Sequence, residues 1–92
     1  MTYLAYELKD TAKMMQSGNY KERFKAEYYQ AKIRYEKLKD FNNKIEAGEN
    51  WDEAPGIPVH DCPTALLRDQ QRIMGEYLHV LEIRAVIEEI EL

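Results

Sequence analysis

Apolar residues recur at helical spacing in three runs along the chain, separated by two breaks rich in glycine, asparagine or proline. In the first run Leu4, Leu8, Thr11 and Met15 follow one another at steps of four, three and four. This predicts a helix over about residues 2–16, with Thr2 as N-cap and "SGN" at 17–19 as its end. The second run predicts a helix over about 20–47, where Asn19 and Glu22 have the spacing of a capping box and Gly48 suits the left-handed residue beyond a helix end. At 100° per residue, Tyr20, Phe24, Tyr28, Ala31, Tyr35, Leu38 and Ile45 share one broad face. Ala26, Tyr29 and Ile33 make a second apolar strip on the far side.

Residues 48–62 read as an ordered loop, since "ENWDEAPGIPVHDCP" at 49–63 carries every proline of the chain together with Trp51, Ile57 and Val59. Those three side chains are expected to fold over the end of the hairpin. A third helix is predicted over about 63–89, with Pro63 in its first turn and Cys62 as a weak N-cap. Leu67, Gln70, Met74, Tyr77, Leu81, Arg84 and Glu88 alternate four and three apart, and Leu66, Ile73, Leu78, Ala85 and Ile87 widen that seam. Gly75 in mid-helix points to close approach of another helix. The expected architecture is all-α: a long antiparallel hairpin, its arms ~40 Å each at 1.5 Å per residue, plus a shorter N-terminal helix in a single domain of residues 1–92. The short helix covers half of the hairpin groove. The open half and the strip Ala26–Tyr29–Ile33 then call for a second subunit, so a homo-oligomeric bundle is expected.

Composition narrows the function without naming it. A chain of 92 residues buries a modest core, and its one cysteine excludes an internal disulfide and a thiolate metal cluster. "MTYLAYELKD" lacks the basic start of a signal peptide, and no apolar run approaches the ~18 residues of a membrane span, so a cytoplasmic setting with no membrane partner is expected. A formal charge of −4 argues against general nucleic-acid binding. The charge is uneven, however: residues 20–39 are basic and "EIRAVIEEIEL" is acidic.

No P-loop, dinucleotide glycine motif, metal-ligand spacing or Ser/His/Asp set is present, so neither a cofactor nor an enzyme is expected. The run His60–Asp61–Cys62 resembles a reactive cluster, but adjacent side chains at a helix start diverge, and capping or packing explains them better. Lys21, Lys25, Lys32 and Lys39 form the rim of the aromatic face, where their stems cover apolar surface. The start of the second helix offers more. Free N–H groups, the positive end of the helix dipole, Lys21, Arg23 and Lys25 for phosphate, and Tyr20 and Phe24 for stacking would suit a small anionic nucleotide. Arg84, on the seam of the third helix, either pairs with Glu27 or Glu36 or contacts an anion itself.

"YKERFKAEYYQAKIRYEKL" and "CPTALLRDQQRIMGEYLHVLEIRAVIE" resemble a family of small helical proteins from phages and prophages of gut Firmicutes, related to the small crAss-like-phage protein domain. The shared pattern runs from Tyr20 to Tyr28, Ile33 to Leu38, Cys62 to Tyr77 and Leu81 to Ala85. The resemblance implies a phage accessory protein inside a bacterium and carries no catalytic residues. The expected function is therefore binding, in counter-defence: a homo-oligomer sequestering a nucleotide immune signal. The alternatives are an inhibitor or adaptor of a host defence nuclease or other host protein, in the manner of an anti-CRISPR, and a structural or assembly helper of the phage particle.

Overall fold

The computed structural model describes residues 6–92, and these form helices α1 (Leu8–Met14), α2 (Tyr20–Asn50) and α3 (Thr64–Ile87) with no strand among them. Thr2 and Leu4 lie outside the described residues. The cap of α1 is Glu7, whose N–H donates to Asp10 Oδ2 at 2.9 Å. Thr11 is fully buried because its hydroxyl donates back to the Leu8 carbonyl at 2.7 Å, which removes the cost of burying a polar group. Met15, expected on the same stripe, is exposed, and Met14 turns inward instead.

Helix α2 begins where expected, but through a different cap. The Asn19 side chain accepts from the Lys21 N–H at 2.9 Å, while the Asn19 N–H donates to Ser17 Oγ at 3.1 Å. Ser17 thus takes the reciprocal role assigned to Glu22. The far end runs past Gly48 to Asn50, and the Trp51 N–H closes on the Ala47 carbonyl at 2.9 Å. Gly48 serves packing rather than termination: a Cβ there would sit 2.9 Å from Ile57 Cδ1. Of the loop residues expected to cap the hairpin, only Ile57 is seated in this way. Val59 is 98% exposed and Trp51 is largely so, with the small Ala54 buried in their place.

Helix α3 starts one residue late, at Thr64, with Pro63 as its N-cap and no side-chain cap. Cys62 lies outside the helix, and its carbonyl is 2.7 Å from His60 Nδ1. The ring therefore donates to backbone rather than addressing the thiol. The other end stops at Ile87, two residues earlier than periodicity suggests. The Ile90 N–H donates to the Ala85 carbonyl at 2.8 Å and the Glu89 N–H to that of Val86 at 3.4 Å, with Glu89 left-handed at φ 57°. This is a Schellman closure that folds Ile90 into the core, with glutamate where glycine is usual. Glu89→Gly is expected to raise the unfolding free energy by about 1 kcal/mol by removing the Cβ strain, readable as a higher urea midpoint with an unchanged slope.

Contacts between α2 and α3 run in opposite order along the two helices. Tyr28 donates to Glu82 at 2.6 Å, the Tyr35 ring lies over Gly75, Asn42 reaches Gln71, and Glu49 meets Arg68 at 2.9 Å. The apolar cluster sits at one end, built from Phe24, Tyr28, Leu78, Leu81, Ala85 and Ile90. Desolvation and the Glu82 carboxylate push the Tyr28 hydroxyl well above the usual phenol range, so it stays a donor.

Among the described residues α1 packs on α2 alone, and just ahead of α1 Tyr6 meets Tyr29 edge-on at 4.6 Å. Ala26 and Ile33 are buried and Tyr29 is half-buried. The second strip of α2 is therefore filled by the chain's own first helix, not by another subunit. By the same placement α1 does not cover the hairpin groove. What remains uncovered is the outer side of α3.

Candidate functional site: a polar cleft between the long helices

The first turns of α2 gather some of the expected binding residues and occupy others. Tyr20 is 49% exposed, and Lys21 and Lys25 are half-buried along their stems. The Arg23 guanidinium is exposed but donates to the Ser17 carbonyl at 2.8 Å, tying the α1–α2 turn to the helix. Phe24 is a core residue, and its ring carries the Arg84 guanidinium 4.9 Å from the centroid. The stacking position expected for a ligand is thus filled from within the chain. Arg84 is exposed rather than buried, and its partner is Glu88 on its own helix, with Nε donating at 2.8 Å, rather than Glu27 or Glu36. That hydrogen bond, with the Glu88 and Glu27 charges behind it, raises the guanidinium above its ordinary value. Tyr20, Phe24 and Arg84 therefore do come together, as a self-satisfied cluster at one end of the hairpin.

The middle of the hairpin is different. Away from the apolar end, α2 and α3 part around a cleft of about 360 Å³. Its floor is Asn42 and Gln71, one wall is Tyr35 beside Gly75, and the rim carries Glu46, Arg68 and Arg72. Gly75 makes this shape possible: Tyr35 Cε1 lies 3.2 Å from where a Cβ would stand, so the ring leans across the helix and leaves space beyond it.

Asn42 is the unusual group. It is 4% exposed, and its Nδ2 donates both to the Leu67 carbonyl at 3.1 Å and to Gln71 Oε1 at 2.9 Å. With both amide hydrogens spent, Oδ1 is left buried and without a donor. An orphaned buried acceptor is costly to leave unpaired. The two arginines supply the charge. Arg68 is held by Glu49 at 2.9 Å, and Arg72 reaches Glu76 at 3.3 Å and Asp69 at 3.9 Å, all through half-exposed pairs that an incoming phosphate can displace. A volume near 360 Å³ falls at the lower end of small-molecule sites.

None of the cleft residues stands out in the sequence as a site. Arg68 and Arg72 look like ordinary solvated helix charges, and Asn42 breaks no pattern. The one available signal is Gly75, which does mark a close approach, though by Tyr35 of the neighbouring helix. Among the described residues no three His, Cys, Asp or Glu side chains gather to hold a metal ion, and no helix is long and apolar enough to cross a membrane.

No curated protein and no solved structure matches the chain. The family model described as Sequestin matches residues 18–87, a span that takes in α2, the loop, α3 and every residue of the cleft, and the chain belongs to the Sequestin family.

Proposed function

We propose that the protein acts by sequestration, holding a small anionic nucleotide in the cleft between α2 and α3 and so withdrawing it from solution. The family name denotes a sequestering, binding role. The observation that carries the ligand class is the lining of one cleft by two arginines and an aromatic ring, with the unsatisfied Asn42 amide among its residues. In this reading Arg68 and Arg72 take the phosphates as bidentate donors, Tyr35 stacks on the base, and Asn42 Oδ1 accepts from a base amino group or a ribose hydroxyl. Glu46 on the rim offers a further acceptor for sugar hydroxyls. No covalent step is involved. The setting proposed for this activity is that of a phage protein in the cytoplasm of its host, where removing a nucleotide immune signal would blunt defence.

Tyr20, Lys21, Arg23, Lys25 and Arg84 are proposed only as a secondary phosphate contact, because Phe24 and Glu88 already satisfy Arg84. Titration calorimetry of the full chain against a panel of cyclic mono- and dinucleotides is expected to show one or more tight binders. Absence of heat with every member would remove the nucleotide reading. The second reading, a protein-binding inhibitor of a host defence nuclease, is favoured by the apolar outer face of α3. It predicts a stable host protein retained by the chain in a pull-down that added nucleotide does not release.

A further inference from the structure

Helix α3 carries two apolar faces, and among the described residues only one is used within the chain. Leu78, Leu81 and Ala85 face α2. On the other side Leu66, Ile73, Tyr77, Val80 and Ile87 follow the heptad steps 7, 4, 3 and 7 and are between 42% and 75% exposed. Ile83 and the exposed Tyr20 flank them. Together these side chains present roughly 700 Å² of surface, more than a monomer ordinarily leaves uncovered and close to the ~800 Å² each partner contributes to a standard interface. Over its ~32 Å length the stripe is interrupted only by Gln70 and Arg84.

We propose that this stripe is the interface with a second copy of the chain, packed antiparallel about a two-fold axis passing between Glu76 and Tyr77. Two features select this occupant and this direction. The stripe is self-complementary about that axis: Leu66 falls opposite Ile87 of the copy and Ile73 opposite its Val80, so apolar pairs stand at both ends and on both sides of the centre, where Tyr77 meets the copy's Glu76. Charge then excludes the parallel alternative. Parallel packing sets Arg84 against its own counterpart, whereas the antiparallel register sets it near Asp69 of the copy. A two-fold contact of this kind closes on itself and stops at a dimer. It also brings the copy alongside the cleft, because Arg72 occupies the turn of α3 between the cleft rim and the stripe. The inference does not depend on the identity of the ligand.

Sedimentation equilibrium of the full chain at ~50 µM, above the roughly micromolar-to-picomolar dissociation constants that interfaces of standard size span, should return twice the 10.9 kDa chain mass. Ile73→Glu and Val80→Glu should each halve that mass with helicity at 222 nm retained, since neither side chain contributes to the intrachain core. Val59→Glu, equally exposed but off the stripe, should leave the dimer intact. In a Cys62→Ser background, Ile73→Cys with Val80→Cys should oxidise to a covalent dimer, and Ile73→Cys alone should not. A single-chain mass for the unmodified protein, or a doubled mass that survives Ile73→Glu, overturns the interface. Cross-linking by Ile73→Cys alone overturns its direction.

Discussion

Leu81→Ala is expected to lower the unfolding free energy by about 3–4 kcal/mol. Leu81 is 2% exposed and stands at the centre of the cluster formed by Phe24, Tyr28, Leu78, Ala85 and Ile90. Truncation removes the transfer free energy of its branched carbons and leaves a cavity that its neighbours cannot close. Phe24 is pinned under the Arg84 guanidinium, Tyr28 is tied to Glu82, and Ile90 is fixed by the Schellman closure. A chain of this length has a total stability of roughly 5–14 kcal/mol, so the loss is about a fifth of it at the upper end and more than half at the lower. Urea unfolding followed at 222 nm is the measurement. Leu66→Ala, on the exposed side of the same helix, should change the stability by less than ~1 kcal/mol when both variants are measured in the dissociated Ile73→Glu background. If the two variants unfolded alike, the division of α3 into a core face and an outer face would be mistaken.

That division also shows which parts of the molecule can be read from sequence. Periodicity places α2 and α3 well, because each is long enough for apolar steps of three and four to accumulate. It fails where a position must be assigned to one of two possible neighbours. Ala26, Tyr29 and Ile33 read correctly as a buried strip, yet the wheel cannot say whether the chain's own first helix or another subunit buries them. In α3 the periodic set merges two faces. Leu81 and Ala85 belong to the core and Tyr77 and Ile87 to the outer stripe, a split that appears only once the direction of α2 is known.

Local chemistry misleads in a second way. Gly48 has the profile of a helix terminator, but tertiary packing against Ile57 gives the missing side chain another purpose. Glu89 shows the converse, since a left-handed residue stands where nothing in the sequence announces one. The cleft was invisible for the same reason as the α3 split. Asn42, Arg68, Gln71 and Arg72 are distant or ordinary in sequence and become a constellation only through the pairing of two helices in register. The expected site at the start of α2, by contrast, rested on aromatic and basic residues adjacent in sequence. Adjacency is what let Phe24 turn into the core while Lys21 and Lys25 stayed at its edge.

Changing Arg68 and Arg72 together to alanine is expected to weaken nucleotide binding by about 1,000-fold. A charge-assisted hydrogen bond to phosphate contributes about 1.5–3 kcal/mol, so losing two such partners corresponds to ~4 kcal/mol, or three decades in the dissociation constant. Folding should be little affected. The intrachain partners Glu49, Asp69 and Glu76 are half-exposed, and pairs of that kind contribute on the order of 0–1 kcal/mol each. Calorimetric titration of the double variant, with thermal unfolding as control, therefore separates a binding role from a structural one. The matching pair at the start of α2, Lys21→Ala with Arg23→Ala, should cost less than ~10-fold, because those groups contribute long-range attraction and are screened by salt. If the order were reversed, the ligand would sit over the first turn of α2 and the orphaned Asn42 Oδ1 would need another occupant. Asn42→Leu distinguishes these cases again: it removes the acceptor and the two donor bonds that order the cleft floor, so it should abolish binding at the cleft while leaving any site at the start of α2 untouched.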